Sequence, residues 1–200
     1  MRALAVLAFV LAPALAHAEV IEKGVHGGPH LFTFRQNNDS GQPNNSSINA
    51  TPGFAFGGYL ALRISDLVSF QTEGQLAVAK AFEEHCSPCM TIRELTLWFF
   101  EVPALLRFDM IPGDRTKVHI EFGPELVIAM GGRQVAPMAP EQALDLQPAN
   151  LGALVGLGFE IPAGTGRITI DVRYQRFAGK IASGLESSHQ LFTMVGYAFP

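Results

Sequence analysis

The ten residues Ser69 to Val78, SFQTEGQLAV, divide cleanly by position. Phe70, Thr72, Gly74, Leu76 and Val78 fall in one register, and Ser69, Gln71, Glu73, Gln75 and Ala77 in the other. A period of two belongs to a β-strand whose two faces meet different surroundings. The same alternation recurs along nearly the whole chain, and it constrains the fold more than any other feature. The segment itself leaves open which face is the outside.

Eight segments carry strand character, near residues 24–35, 53–64, 68–82, 94–109, 117–131, 150–162, 166–178 and 189–199. The spacers alternate between long, as in QNNDSGQPNNSSINATP, and short, as in AGTG. Faces can be assigned strand by strand. In the fifth, Val118, Ile120, Phe122, Leu126 and Ile128 oppose His119, Glu121, Gly123 and Glu125. In the sixth, Leu151, Val155, Leu157, Phe159 and Ile161 oppose Gly152, Gly156, Gly158 and Glu160. The seventh sets Ile168, Ile170, Val172 and Tyr174 against Thr169, Asp171, Arg173 and Gln175. In the fourth, LTLWFF is apolar in both registers and invites a bulge.

The N-terminus supplies the compartment. Arg2, the apolar run ALAVLAFVLAPALA and the small-x-small site Ala16-His17-Ala18 have the layout of a secretory signal peptide. Residues 1–18 are therefore expected to be removed, leaving 19–200 as one domain. With 14 basic and 18 acidic residues in all, and Arg2 the leader's only charge, the remaining net charge is about −5, which gives nucleic-acid binding no support. Hydrophobic residues make up 48% against 16% charged, which is apolar for an exported chain. Yet beyond the leader no apolar stretch reaches the roughly 20 residues of a spanning helix. A chain of this kind meets a membrane as a barrel.

Short turns on one side and long loops on the other fit an eight-stranded antiparallel up-and-down transmembrane β-barrel in the outer membrane, with both termini periplasmic. The rival is a soluble, periplasmic lipocalin-like barrel with its apolar face inside and its charges in water. Three features favour the embedded barrel. The polar faces are rich in Gly and Ala, as a crowded lumen requires. Trp98 and Tyr174 sit on apolar faces near strand ends, where aromatic belts lie. The last strand, HQLFTMVGYAFP, aligns Leu191, Thr193, Val195, Tyr197 and Phe199 on one face.

That terminal strand resembles the closing strand of outer-membrane barrels, and the resemblance implies an insertion signal at Tyr197 and Phe199 read by the barrel insertion machinery. Pro200 departs from the usual terminal Phe. The segments GFAFGGYLALRI (53–64), FFEVPALLRFDM (99–110), HIEFGPELVIAMGG (119–132), NLGALVGLGFEI (150–161) and VRYQRFAGKI (172–181) together resemble the small outer-membrane barrel family described as PorT-like or OmpA-like. Glu101-Val102-Pro103 followed by ALLRF is the most specific of these motifs. The resemblance spans the exported chain and implies a closed eight-stranded barrel without catalytic residues.

An eight-stranded interior is just wide enough to be filled by side chains. The inward register holds Arg63, Arg107 and Arg173 among Glu73, Glu101, Glu121, Glu125, Glu160 and Asp171. Buried charges must pair, so these nine are expected to form a charge network that plugs the lumen. A narrow acid-lined pore, or a barrel carrying a small ligand, is the alternative use of the same residues.

Other chemistry finds little footing. Cys86 and Cys89 in HCSPCM form a C-x-x-C in an exported chain, and a disulfide bracing the loop is the expected state. His26, His30 and His119 show no metal-ligand spacing. Ser188 and His189 are adjacent on a strand and point to opposite faces, so they form no catalytic pair. No enzymatic activity, metal or cofactor is expected. The anticipated partner is outer-membrane lipid, the chain is expected to be a monomer, and its role is expected to be structural or to run through the long loops near 37–52, 83–93 and 132–149.

Overall fold

The computed structural model describes residues 20–36, 48–85, 91–110, 116–135, 141–179 and 185–199. The expected signal peptide (1–18), Cys86, Cys89 and Pro200 lie outside these residues. Eight long strands form the body: β1 (Val20–Gln36), β2 (Ile48–Arg63), β3 (Val68–His85), β4 (Thr91–Asp109), β5 (Lys117–Val135), β7 (Ala149–Ala163), β8 (Gly166–Phe177) and β9 (Leu185–Phe199). A two-residue piece, β6 (Gln142–Ala143), pairs only with Arg133 and Gln134 at the end of β5.

Every neighbouring pair of long strands is antiparallel, and β1 pairs with β9 to close the cylinder. The closing register sets Lys23 opposite Phe199 and Val25 opposite Tyr197. Closure leaves no strand edge, which a sheet surrounded by hydrocarbon requires because no water is there to take an open edge. Val20, Arg63, Val68, Asp109, Lys117, the 164–165 turn and Phe199 lie at one end, and Gln36, Ile48, His85, Thr91, Val135, Ala149, Phe177 and Leu185 at the other.

The link between β7 and β8 is the tightest. Ala163 pairs with Gly166, and Gly164 between them has φ of 63°, in the left-handed region where a Cβ is unfavourable. All eight expected strands are present, most of them longer than their alternation indicated. Residues 83–85 and 91–93 belong to β3 and β4, contrary to the loop expected at 83–93, and 86–90 lie outside the described residues. The loop expected at 132–149 likewise gives up residues 132–135 to β5 and contains β6. The irregularity expected in LTLWFF is present at Trp98 and Phe99, where the extra residue, Met130, belongs to the partner strand β5.

The faces resolve as an inverted arrangement. Val25, Phe54, Phe56, Leu60, Leu126, Leu151, Val155, Val172 and Val195 are exposed on the outside. Leu157 is 42% and Phe199 41% exposed, whereas Glu121 and Asp171 are 0% and 4%. Soluble monomers rarely show a contiguous apolar patch of more than a few hundred Å². Here the apolar surface runs around the whole cylinder. The lipocalin-like alternative needed Phe70, Leu157 and Phe199 to converge inside, and the structure has the opposite arrangement.

Candidate functional site

The lumen is the site, and it is built in layers. Inward residues recur at every second position of each strand, so eight strands deliver one ring of side chains per step along the axis.

Nearest the short-turn end, Arg107 on β4 holds three carboxylates. Its Nη1 donates to Glu22 at 3.2 Å, its Nε to Asp109 at 3.1 Å, and its Nη2 to Glu160. Tyr59 donates its hydroxyl to Glu22 at 2.9 Å, and the Arg167 Nε stands 3.0 Å from Glu160. One step along, His119 Nε2 lies 3.1 Å from Asp171, with its Nδ1 3.8 Å from Glu160.

The next layer centres on Arg173, 1% exposed. Its two terminal nitrogens donate to Glu73 at 2.6 and 2.8 Å, and its Nε lies 2.5 Å from Glu121. Gln71 donates to Glu73 at 2.6 Å, and His26 Nε2 stands 3.5 Å from the same carboxylate. A bidentate guanidinium and carboxylate fit each other's planar forks, which makes this the most directional contact in the barrel. Gly156 makes room for it. A Cβ there would come 2.6 Å from the Glu121 Oε1 and 3.0 Å from the Arg173 Cγ.

Further toward the long-loop end, Glu101 accepts from the Gln75 amide at 2.6 Å and from Gln190 at 3.4 Å. Glu125, close to both Glu101 and Gln175, completes this ring. Above it the lumen turns apolar. Phe32 stacks on Phe99 with centroids 5.6 Å apart and meets Phe177 at 5.8 Å. Leu95, Leu97, Val127 and Phe192 are buried with them, and Leu144 and Leu146 pack against this cluster from the segment after β6. Backbone bonds from Leu144 to the Gly132 carbonyl (3.1 Å) and from Ala129 to the Pro148 carbonyl (3.1 Å) hold that segment.

Eight of the nine residues expected in the network are thus inside. Arg63 is the exception: it is exposed at the end of β2, beside the 64–67 link, where the alternation no longer faces a wall. Glu101 and Glu125 are inside, but no arginine pairs with either among the described residues. The sequence reading missed Glu22, Tyr59, His26 and His119 as members, and it missed the aromatic plug. Those aromatics occupy the inward register of β1, β4, β8 and β9, which was the available signal. No group of three or more His, Cys, Asp or Glu side chains among the described residues is placed to hold a metal.

On the outside, Trp98 lies under the Arg133 guanidinium at 5.5 Å, and Lys80 stands 3.7 Å from Glu94. The Tyr174 hydroxyl lies 2.5 Å from the Nδ1 of the half-buried His189, and the two rings stack. At the opposite end, Tyr197 donates to the Ala163 carbonyl at 3.1 Å and sets its ring edge-on to Phe199.

The chain is similar in structure to OprG of Pseudomonas aeruginosa, with a TM-score of 0.54, 10% identity and coverage of 92% of this chain and 97% of OprG. The fold is that of an outer-membrane β-barrel. Neisserial surface protein A gives a TM-score of 0.49 at 13% identity, over 88% of this chain and 96% of that one. Ail, the attachment invasion locus protein of Yersinia pestis, gives 0.47 at 11% identity, over 89% and 98%. No protein-family description and no curated protein sequence matches the chain. The likeness is therefore one of fold, and the PorT-like or OmpA-like resemblance rests on the short motifs alone.

Proposed function

We propose that this chain is an outer-membrane barrel with a plugged lumen, serving as a rigid stake that carries its long loops at the cell surface. The observation that supports this best is the pairing of an apolar exterior with a filled interior. The outside wall is apolar around its full circumference, while the axis is crossed by Arg107, by Arg173 and by the Phe32–Phe99 stack. Trp98 and Lys80 near one rim and Tyr197 near the other suit the two headgroup regions. On this reading the short links and both chain ends face the periplasm, Tyr197 and Phe199 form the strand that the insertion machinery reads, and Cys86 and Cys89 form a disulfide at the outer rim. The partner of the loops carries no recognisable chemistry in the sequence.

The pore reading makes a different demand on the same residues. A conducting path needs water along the axis, and both the arginine layers and the aromatic plug stand across it. Reconstituted in a planar bilayer, the purified protein is expected to give no steady current at moderate voltage. A reproducible ohmic conductance from homogeneous protein would reject the plugged lumen and favour the pore. Membrane residence with heat-modifiable gel migration is expected on fractionation, and release by osmotic shock would contradict the embedded barrel.

A further inference from the structure

Between the Arg173 layer and the aromatic plug lies a ring of five oxygen-bearing side chains. Glu101 comes from β4, Glu125 from β5, and Gln75, Gln175 and Gln190 from β3, β8 and β9. None is more than 1% exposed. Gln75 and Gln190 turn their amide nitrogens to Glu101, and the Oε1 of each is left without a hydrogen-bond partner. Neither carboxylate oxygen of Glu125 meets a donor at full hydrogen-bonding geometry. Gln175 stands beside Glu125, near enough for its amide to act on that carboxylate as a donor though short of full hydrogen-bonding geometry, and its Oε1 has no partner.

The charges nearby are already committed. Arg173 serves Glu73 and Glu121, and Arg107 serves Glu22, Asp109 and Glu160. Two carboxylates and three amide carbonyls thus share an enclosed layer with no cationic side chain of their own. Leaving such groups ionised and unpaired in an enclosed interior is costly. Protons could neutralise the two carboxylates. They would leave Glu101, which already accepts two amide hydrogens, poorly used, and would match at most two of the three glutamine oxygens.

We infer that this ring binds one hard divalent cation of calcium size, with Glu125 and the Oε1 atoms of Gln75, Gln175 and Gln190 as ligands and Glu101 completing the charge balance. Calcium takes six to eight oxygens in adaptable geometry, whereas magnesium insists on an octahedron and keeps its waters. A site made of carboxylate and amide oxygen alone has no soft donor to favour zinc or copper. Its residues come from five strands, two of them acids and three of them amides, so spacing along the chain gives no sign of it.

The test is refolding from urea into lipopolysaccharide-free detergent micelles, with EGTA or with increasing CaCl₂, followed by urea unfolding and native mass spectrometry. The site predicts an unfolding midpoint that rises with calcium and levels off, and one calcium retained in the folded mass. Glu125→Gln should abolish both effects, while Glu94→Gln at the outer rim should keep both. If Glu125→Gln fails to fold, Gln175→Leu is expected to weaken the calcium dependence at least tenfold. A midpoint identical in EGTA and CaCl₂, with a calcium-free mass, would overturn the site in favour of protonated carboxylates. A calcium effect that survives in Glu125→Gln would overturn it too, by placing the ion elsewhere.

Discussion

Arg173 and Glu73 face each other across the barrel axis, from strands four places apart in the eight-strand circle, and the guanidinium closes on both carboxylate oxygens at 2.6 and 2.8 Å. A contact spanning the diameter ties opposite walls together, which no backbone bond in a single-layer sheet can do. Removing one partner strands the other in a buried interior. Arg173→Met should therefore cost about 3–5 kcal/mol in unfolding free energy. Adding Glu73→Gln and Glu121→Gln should recover much of that loss, because the triple variant removes the two carboxylates that Arg173 had paired. Urea unfolding in micelles checks both. Losses that simply add across the three positions would mean the charges are not coupled.

Gly156 is expected to be as constrained as the charges it faces. Gly156→Ala drives a methyl group into the space between Glu121 and Arg173, and overpacking of this kind costs about 1–3 kcal/mol. Gly131 serves as the control, since a Cβ there would meet nothing closer than Trp98 at 4.0 Å. Gly131→Ala should stay within about 0.5 kcal/mol of the parent. Equal effects at the two sites, read from the unfolding midpoint, would contradict a lumen packed around Arg173.

Leu76 and Gln75 are consecutive on β3, one outside and the other enclosed. Leu76→Arg, with Leu76 near the middle of the strand, should cost about 2–4 kcal/mol when the protein is folded into lipid vesicles. Lys80→Arg, at the rim, should cost close to nothing, because its side chain already reaches the headgroup level. A Leu76→Arg cost near zero would move that position out of the hydrocarbon.

Much of this architecture was legible in the sequence because alternation is local. Glu121 and Phe122 declare their faces by adjacency alone, with no knowledge of the other strands. Closure followed from the number of such segments and from the alternation of short and long links. Alternation failed where it stopped carrying information. Phe99 and Phe100 are both apolar, so although parity with Glu101 turns Phe99 inward, nothing local says that it stacks on Phe32 to plug the lumen. Arg63 keeps the inward parity, yet it sits at the mouth, where inward means water. The pairing of Arg173 with Glu73, one hundred residues away in the chain, depends on how the eight strands are staggered. So does the gathering of Glu125 with three glutamines. Those relations belong to the closed barrel and to no segment of it.

Leu157, near the middle of β7, offers the most direct reading of which way the apolar face looks. In a Trp98→Phe background, Leu157→Trp gives the chain one tryptophan on that face. Folded into vesicles with lipids brominated at graded depths, its fluorescence should be blue-shifted, strongly quenched by bromines deep in the acyl chains, and insensitive to aqueous iodide. Emission untouched by brominated lipid but quenched by iodide would put that face in water and contradict the inverted barrel.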